Sequence, residues 1–174
     1  MSLVRVRKKA EALLERFAMR GAPIDVHRVA RELGLPIVTA NLGDGVAGLL
    51  VQKPGALTVI CVHEDDPPAR QRFMIAHEIG HHHLGHDLKD DAQIHVDRGL
   101  VAQRTARSSE GVGVHQIEAN QFAAALLMPA ALIHARVEAI AQGALLDAHL
   151  SALAEEFQVS EQAMAIRLAM LDLV

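Results

Sequence analysis

The segment AHEIGHHHLGH, residues 76–86, constrains the fold and chemistry of this chain more than any other stretch. It holds five of the chain's eleven histidines, and its apolar residues recur with helical spacing. On a helix, His77 and His81 are about one turn apart, so both imidazoles can reach the same point in space. A buried face with two imidazoles and the Glu78 carboxylate is costly unless these groups have a partner. The segment therefore predicts a metal site.

The spacing of these three side chains fits a catalytic zinc ion. Two neutral imidazoles supply half of a tetrahedral zinc site. Glu78 is rotated by about 100° from His77, so its carboxylate would lie beside the ion and accept a proton from a zinc-bound water. This is the H-E-x-x-H pattern of zinc peptidases. The alternative is a polar helix face with incidental histidines, but Gly80 favours close packing against another element.

A catalytic zinc site also needs a third protein ligand and an open position for water. The strongest candidate is Glu118, in the segment IEANQFAAALLMP. On a helix Glu118 shares a face with Phe122 and Ala125, so its carboxylate continues an apolar stripe and requires a cation. Two alternatives stay open. Asp87, directly after the His-rich helix, could be the third zinc ligand. Glu118 could instead lie near a helix N-terminus, where the helix dipole stabilises a negative charge.

The rest of the chain predicts an α+β fold. Helical spacing predicts a helix over Leu3–Met19 and a second, shorter helix with Asp25 as its N-cap and Gly34 just past its end. The segments PIVTANL, VAGLLVQ and ALTVICV are short and rich in Val, Ile and Thr, and they predict a small three-stranded antiparallel sheet packed against the helices. We expect VAGLLVQ to be an exposed edge on which a substrate strand pairs.

The second half of the chain is predicted to be mostly helical. Leu88–His115 is polar and is interpreted largely as a loop, and a helix follows from Gln116. The tail predicts two helices joined at QVS, with Ser160 capping the second. We predict a single domain over residues 1–174: N-terminal helices in 1–35, the sheet and zinc-site core in 36–130, and a helix-turn-helix-like helical tail in 131–174.

The composition favours a cytoplasmic protein. Cys61 is the only cysteine, which excludes an internal disulfide framework and suggests a reducing compartment. No apolar run approaches the roughly 18 residues of a membrane span, and the first residues lack a secretory signal. We therefore expect no membrane association.

The helix-turn-helix character of the tail raises a rival function, a DNA-binding or protein-binding regulator with a structural metal. From Asp147 to the end, the chain has five acidic residues and one basic residue, Arg167. A DNA-reading helix needs Lys or Arg for phosphates and bases. The first 31 residues carry eight basic and three acidic residues, which we interpret as a solvated helix face. We therefore expect no direct contact with nucleic acid.

Two segments together, RFMIAHEIGHHHLGH and IEANQFAAALLMP, resemble the ImmA/IrrE family of cytoplasmic metallopeptidases. The likeness extends over nearly the whole chain, although the ending LDLV lacks the glycine that the family often has there. The resemblance implies a zincin-like core, with Zn²⁺ held by His77, His81 and Glu118 and with Glu78 as general base. It also implies an endopeptidase that cuts one bond in a helix-turn-helix repressor or antitoxin and so relieves repression.

The group that would stabilise the oxyanion stays open in the sequence. An oxyanion needs a donor besides the metal, and the chain has no tyrosine. His115, His86 and Arg107 are candidates. His86 could instead orient a ligand or the substrate. His82 and His83 are rotated away from the His77 face and are expected to be exposed.

Overall fold

The computed structural model describes residues 1–52, 57–86, 94–98, 110–140 and 147–174. Within these ranges there are seven helices and one four-stranded sheet, so the predicted α+β class is confirmed. The helices are α1 Leu3–Arg16, α2 Val26–Glu32, α3 Pro68–Leu84, α4 Glu110–Leu127, α5 Ala130–Ile140, α6 Asp147–Phe157 and α7 Glu161–Met170. The strands are β1 Ile37–Ala40, β2 Val46–Val51, β3 Val59–His63 and β4 Ile94–Arg98.

The first two helices form where the sequence predicts them. α1 ends at Arg16, three residues before the predicted Met19. α2 begins after Asp25, whose carboxylate accepts the amide of Arg28 at 2.9 Å. Gly34 follows α2 with a φ of 71°, a left-handed conformation that glycine adopts without strain. The short connection then leads directly into β1.

The sheet differs from the predicted three-stranded antiparallel meander. Its order is β1-β3-β2-β4, and β1 runs parallel to β3. β2 is antiparallel to both of its neighbours, β3 and β4. A strand can pair along two edges, and β2 pairs with β3 along one and with β4 along the other. In a meander, β1 would pair with the edge of β2 that β4 occupies. Instead, β1 pairs with the other edge of β3. The prediction that VAGLLVQ forms an exposed edge is therefore wrong, since both edges of β2 are paired.

Part of the segment interpreted as a loop has regular structure. Ile94–Arg98 is β4, and α4 begins at Glu110, six residues before the predicted start at Gln116. A five-residue strand inside a polar segment gives a pattern too short to recognise. Residues 87–93 and 99–109 lie outside the described residues, and so do the ligand candidate Asp87 and the oxyanion candidate Arg107.

The centre of the fold is α3, which packs against α4 on one side and against β2 and β3 on another. The contact with α4 is closest at Gly80. A Cβ added to Gly80 would lie 3.2 Å from Cδ1 of Phe122 and 3.3 Å from both Cα and O of Ala119. At this point the two helices are therefore separated by little more than their backbones. The expectation that Gly80 allows another element to approach is confirmed. The backbone that comes closest to Gly80 is that of Ala119.

The helices after α4 follow the predicted pattern. Pro129 separates α4 from α5. Ser160 caps α7 by accepting the amide of Ala163 at 3.1 Å. Arg167 on α7 is 1% exposed, and its Nε donates to the carbonyl of Met128 at 2.9 Å. Arg167, the only Lys or Arg from Asp147 to the end of the sequence, thus attaches α7 to the end of α4.

The consecutive helices α4 and α5 are rich in apolar residues, as membrane-spanning helices are. Among the described residues, no single helix combines the length and the hydropathy needed to cross a bilayer. Gly113–Leu127 and Ala130–Ile140 meet that criterion only as a pair, with a bend of 50° between them.

Enlarging Gly80 tests the close contact between α3 and α4. We expect Gly80→Val to lower the free energy of unfolding by about 2 kcal/mol, because the added methyl groups over-pack a site with neighbours at 3.2 to 3.3 Å. Urea denaturation followed by circular dichroism measures this change. Ala12→Val, at an exposed position of α1, is the matched control and should cost about 0.6 kcal/mol or less. Equal losses in the two variants would contradict the close packing at Gly80.

Candidate metal centre

Two buried imidazoles meet on the inner face of α3. His77 is 0% and His81 1% exposed, and their Nε2 atoms are 3.0 Å apart. Ring nitrogens at this distance either share one proton or face a common cation. The i, i+4 spacing in the sequence thus produces the convergence that a shared metal ion requires.

The orientation of His77 is set from α4. The Nδ1 atom of His77 lies 2.9 Å from Oδ1 of Asn120. An amide oxygen can only accept, so Nδ1 carries the proton and donates, and Nε2 presents its lone pair towards His81. Hydrogen bonds of this kind fix the tautomer of histidines that bind metals. Sequence reasoning missed Asn120; its position two residues after Glu118 on the facing helix is the signal that could have found it.

Glu118 is a buried carboxylate near the middle of α4. It is 4% exposed, and α4 begins eight residues earlier at Glu110, so the helix N-terminus does not explain its position. Its Oε2 lies 2.9 Å from Nε2 of His86, and its Oε1 accepts from the amino group of Met1. Burial raises the pKa of Glu118, but the hydrogen bonds from Met1 and His86 outweigh burial and hold that pKa below its ordinary value. The carboxylate is therefore ionised and balanced by positive charge.

The three predicted ligands lie in one cluster, but they do not form a complete ligand set. Among the described residues, no three His, Cys, Asp or Glu side chains are arranged to hold a metal ion. His77 and His81 face each other, whereas Glu118 is joined to them through His86, whose Nδ1 is 3.0 Å from Nδ1 of His81. The donor types still fit zinc, since two imidazoles and one carboxylate from two packed helices are a common catalytic set.

Glu78 lies against β2. Its side chain is 0% exposed, and a Cβ added to Gly48 would lie 3.2 Å from Glu78 Oε1 and 3.1 Å from Cε of Met74. The pairing of β2 with β4 also shifts register between Val46 and Gly48. Gly48 thus leaves the space that the Glu78 carboxylate occupies. Sequence reasoning missed Gly48, although a lone glycine inside a strand pattern often marks such a close approach.

The charge of Glu78 acts on the only cysteine. Burial raises the pKa of the Cys61 thiol, and the negative charge of Glu78 raises it further. Cys61 is on β3, one register position from the strand pair of Gly48 and Val62. Side chains alternate along a strand, so the Cys61 thiol lies on the opposite face of the sheet from Gly48, and the charge of Glu78 acts on it through the sheet.

The other histidines differ in their surroundings. His86 and His115 stack, with ring centroids 4.2 Å apart and an interplanar angle of 7°. His82 is exposed as expected. The same expectation is wrong for His83, which is half-buried with its ring centroid 5.6 Å from that of Phe122. Burial lowers the pKa of both His82 and His83.

A known protein family matches the part of the chain that contains this site. The family model of the IrrE N-terminal-like domain, peptidase family M78, matches residues 30–169. The chain belongs to this family. The match includes both helices of the site, α3 and α4, and it confirms the resemblance to the ImmA/IrrE metallopeptidases. The M78 assignment indicates a metallopeptidase-type domain or a regulator.

A solved structure with the same fold belongs to a Mycobacterium tuberculosis transcriptional regulator. Its TM-score with this chain is 0.66, at 24% sequence identity, and the similarity covers 95% of this chain. The chain spans about half of that regulator, 47% of its length. This likeness shows the fold alone. No curated protein gave a significant match.

The electrostatic effect of Glu78 on Cys61 can be measured through the reactivity of the thiol. We expect Glu78→Gln to shift the pH profile of Cys61 alkylation to lower pH, because removing the negative charge lowers the thiol pKa and raises the thiolate fraction at a given pH. Rates of iodoacetamide labelling, read by mass spectrometry, report this shift. Glu64→Gln, an exposed carboxylate just after β3, is the control. An identical profile in wild type and Glu78→Gln would show that the carboxylate does not act on the thiol.

Proposed function

We propose that this chain is a zinc-dependent endopeptidase that hydrolyses a specific peptide bond in a helix-turn-helix repressor or antitoxin and thereby relieves repression. The observation that carries the proposal is the pair of buried imidazoles 3.0 Å apart at Nε2, on the same helix as the buried Glu78 carboxylate. Their occurrence in a chain of the M78 peptidase family supports a catalytic site over a structural one.

The residues that would hold zinc are His77, His81 and Glu118. Asn120 supports this role, because its hydrogen bond places the proton of His77 on Nδ1 and leaves the lone pair on Nε2, the atom that would bind zinc. The lowered pKa of Glu118 supports it as well, because a ligating carboxylate must be ionised. When bound, the zinc ion would supply Lewis acidity to the attacking water and to the scissile carbonyl.

Glu78 is the proton carrier in this proposal. It accepts a proton from the attacking water and returns it to the amine that leaves when the peptide bond breaks. Gly48 and the buried face of α3 keep its carboxylate out of bulk solvent, where a charged group acts more strongly on its neighbours. Among the described candidates for the oxyanion donor, His115 fits better than His86, because both ring nitrogens of His86 already contact other side chains of the cluster.

The acidic tail supports a basic protein as the substrate. Glu155, Glu161 and Asp172 are exposed on the surface of the tail, whereas Arg167 is buried. The DNA-binding face of a repressor carries Lys and Arg for phosphates, so it is complementary in charge to this surface. The same charges disfavour the rival function, a DNA-binding regulator, to which the name of the mycobacterial structure points. With Arg167 buried, α6 and α7 present no basic side chain to a phosphate backbone.

Glu78→Gln separates a peptidase from a regulator with a structural metal. We expect this variant to bind one zinc ion per chain, as the wild type does, and to lose cleavage by about 10²- to 10⁴-fold, because the amide cannot accept the proton. The assay incubates zinc-loaded protein with helix-turn-helix repressors from the same genome, starting with any that a neighbouring open reading frame encodes, and follows a single cut by mass spectrometry. Glu64→Gln is the exposed control and should cleave normally.

Two results would contradict the proposed function. One is a repressor that stays intact with the wild type under all divalent metals tested. The other is a Glu78→Gln variant with wild-type cleavage and bound zinc, which would assign the metal a structural role.

A further inference from the structure

His86 lies between the two helices of the site and contacts a predicted ligand on each. Its Nδ1 is 3.0 Å from Nδ1 of His81 on α3, and its Nε2 is 2.9 Å from Oε2 of Glu118 on α4. The side chain of His86 is 5% exposed. A single buried imidazole therefore connects a histidine of α3 with the carboxylate of α4.

The end of α3 places His86 in this position. Gly85 has a φ of 69° and a ψ of 40°, the left-handed conformation that ends a helix and turns the chain back. The amide of Gly85 donates to the carbonyl of His82 at 3.2 Å, and the amide of His86 donates to the carbonyl of His81 at 3.1 Å. The chain thus folds over the last turn of its own helix, and the imidazole of His86 comes to lie beside that of His81.

The two nitrogens of His81 have different neighbours. Its Nε2 faces Nε2 of His77, and its Nδ1 faces His86. The nitrogens of an imidazole lie on opposite sides of the ring, so His86 is not on the side where His77 and His81 converge. This geometry makes His86 a support for His81 rather than another ligand to the same ion.

The ring plane of His86 is held from α4. His115 stacks on it at 4.2 Å with an angle of 7°. His115 precedes Glu118 by three residues, so both side chains lie on one face of α4. Two residues of that face therefore contact His86: His115 stacks on its ring, and Glu118 lies within hydrogen-bond distance of its Nε2.

We propose that His86 is a positioning residue that orients the His81 imidazole and the Glu118 carboxylate towards one shared divalent cation. The inference rests on the proposed function, because that function assigns His81 and Glu118 as ligands. Groups that orient metal ligands in this way contribute about 10- to 100-fold to metal affinity. His86 does so between α3 and α4, and the left-handed Gly85 turns the chain so that His86 reaches this position.

The test measures metal binding and does not depend on cleavage. Zinc affinity is measured by competition with a chromogenic chelator, and the visible absorption of the Co²⁺-loaded protein reports ligand geometry. We expect His86→Ala to weaken zinc binding by about 10- to 100-fold and to alter the Co²⁺ spectrum. His86→Gln retains a donor and an acceptor at similar reach and should recover part of the loss. His82→Ala, at the exposed histidine of the same helix end, should match the wild type.

Gly85→Ala provides a second variant that keeps every donor atom. Its φ of 69° strains a residue with a side chain, so His86 should move and zinc binding should weaken in the same direction. Urea denaturation of each variant identifies any loss that comes from unfolding.

The outcomes distinguish this inference from the proposed function. Unchanged zinc affinity and Co²⁺ spectrum in His86→Ala would overturn the role of His86 while the proposed function stands. A Co²⁺ spectrum that loses one imidazole ligand in His86→Ala would also overturn it, since His86 would then be a ligand. A wild-type protein that binds no divalent metal would overturn both.

Discussion

The site depends on the contact between α3 and α4 at Gly80. His77 and His81 belong to α3, and Glu118 and Asn120 belong to α4. These groups can act on one ion only if the two helix axes are close together. Ala119 lies between Glu118 and Asn120 in sequence, and its backbone is the surface that Gly80 meets. The residues of closest packing thus lie directly beside the residues of the site, and the chemistry of the cluster follows from a packing constraint.

The buried polar groups form a connected chain across this contact. Asn120 bonds His77, His77 faces His81, His81 faces His86, and His86 bonds Glu118. Buried polar groups are costly unless they are satisfied, so each member of the chain restrains its neighbours. The cluster therefore restricts the rotamers of its side chains before any cation binds, which lowers the cost of organising a metal site.

Much of this arrangement could be predicted from local patterns. The i, i+4 histidines, the caps at Asp25 and Ser160, and the glycines at 34 and 80 each depend on interactions within a few residues or on one packed face. These features were therefore recognisable in the sequence. Glu118 is recognisable because its carboxylate lies in line with the apolar stripe of its helix. The identities of the ligands, the base and the zinc ion remain predictions.

The sheet order and the links between the ligands could not be predicted, because they depend on distant partners. β4 is only five residues long, yet it pairs with β2 and so moves β1 to the far edge of the sheet. Gly48 and Asn120 contact the site from a strand and a helix other than α3, and their local signals, a lone glycine in a strand pattern and a position two residues after Glu118, do not say which side chain each one meets. His83 was expected in solvent, but the position of Phe122 on α4 half-buries it.

The central claim is that two imidazoles of α3 and one carboxylate of α4 bind a single divalent ion. A zinc anomalous difference map from crystals of the zinc-loaded protein tests it most directly. We expect one peak within about 2.0 to 2.2 Å of Nε2 of His77, Nε2 of His81 and one oxygen of Glu118. A peak bound by the histidines but out of reach of Glu118, or one located on His82 and His83, would contradict it.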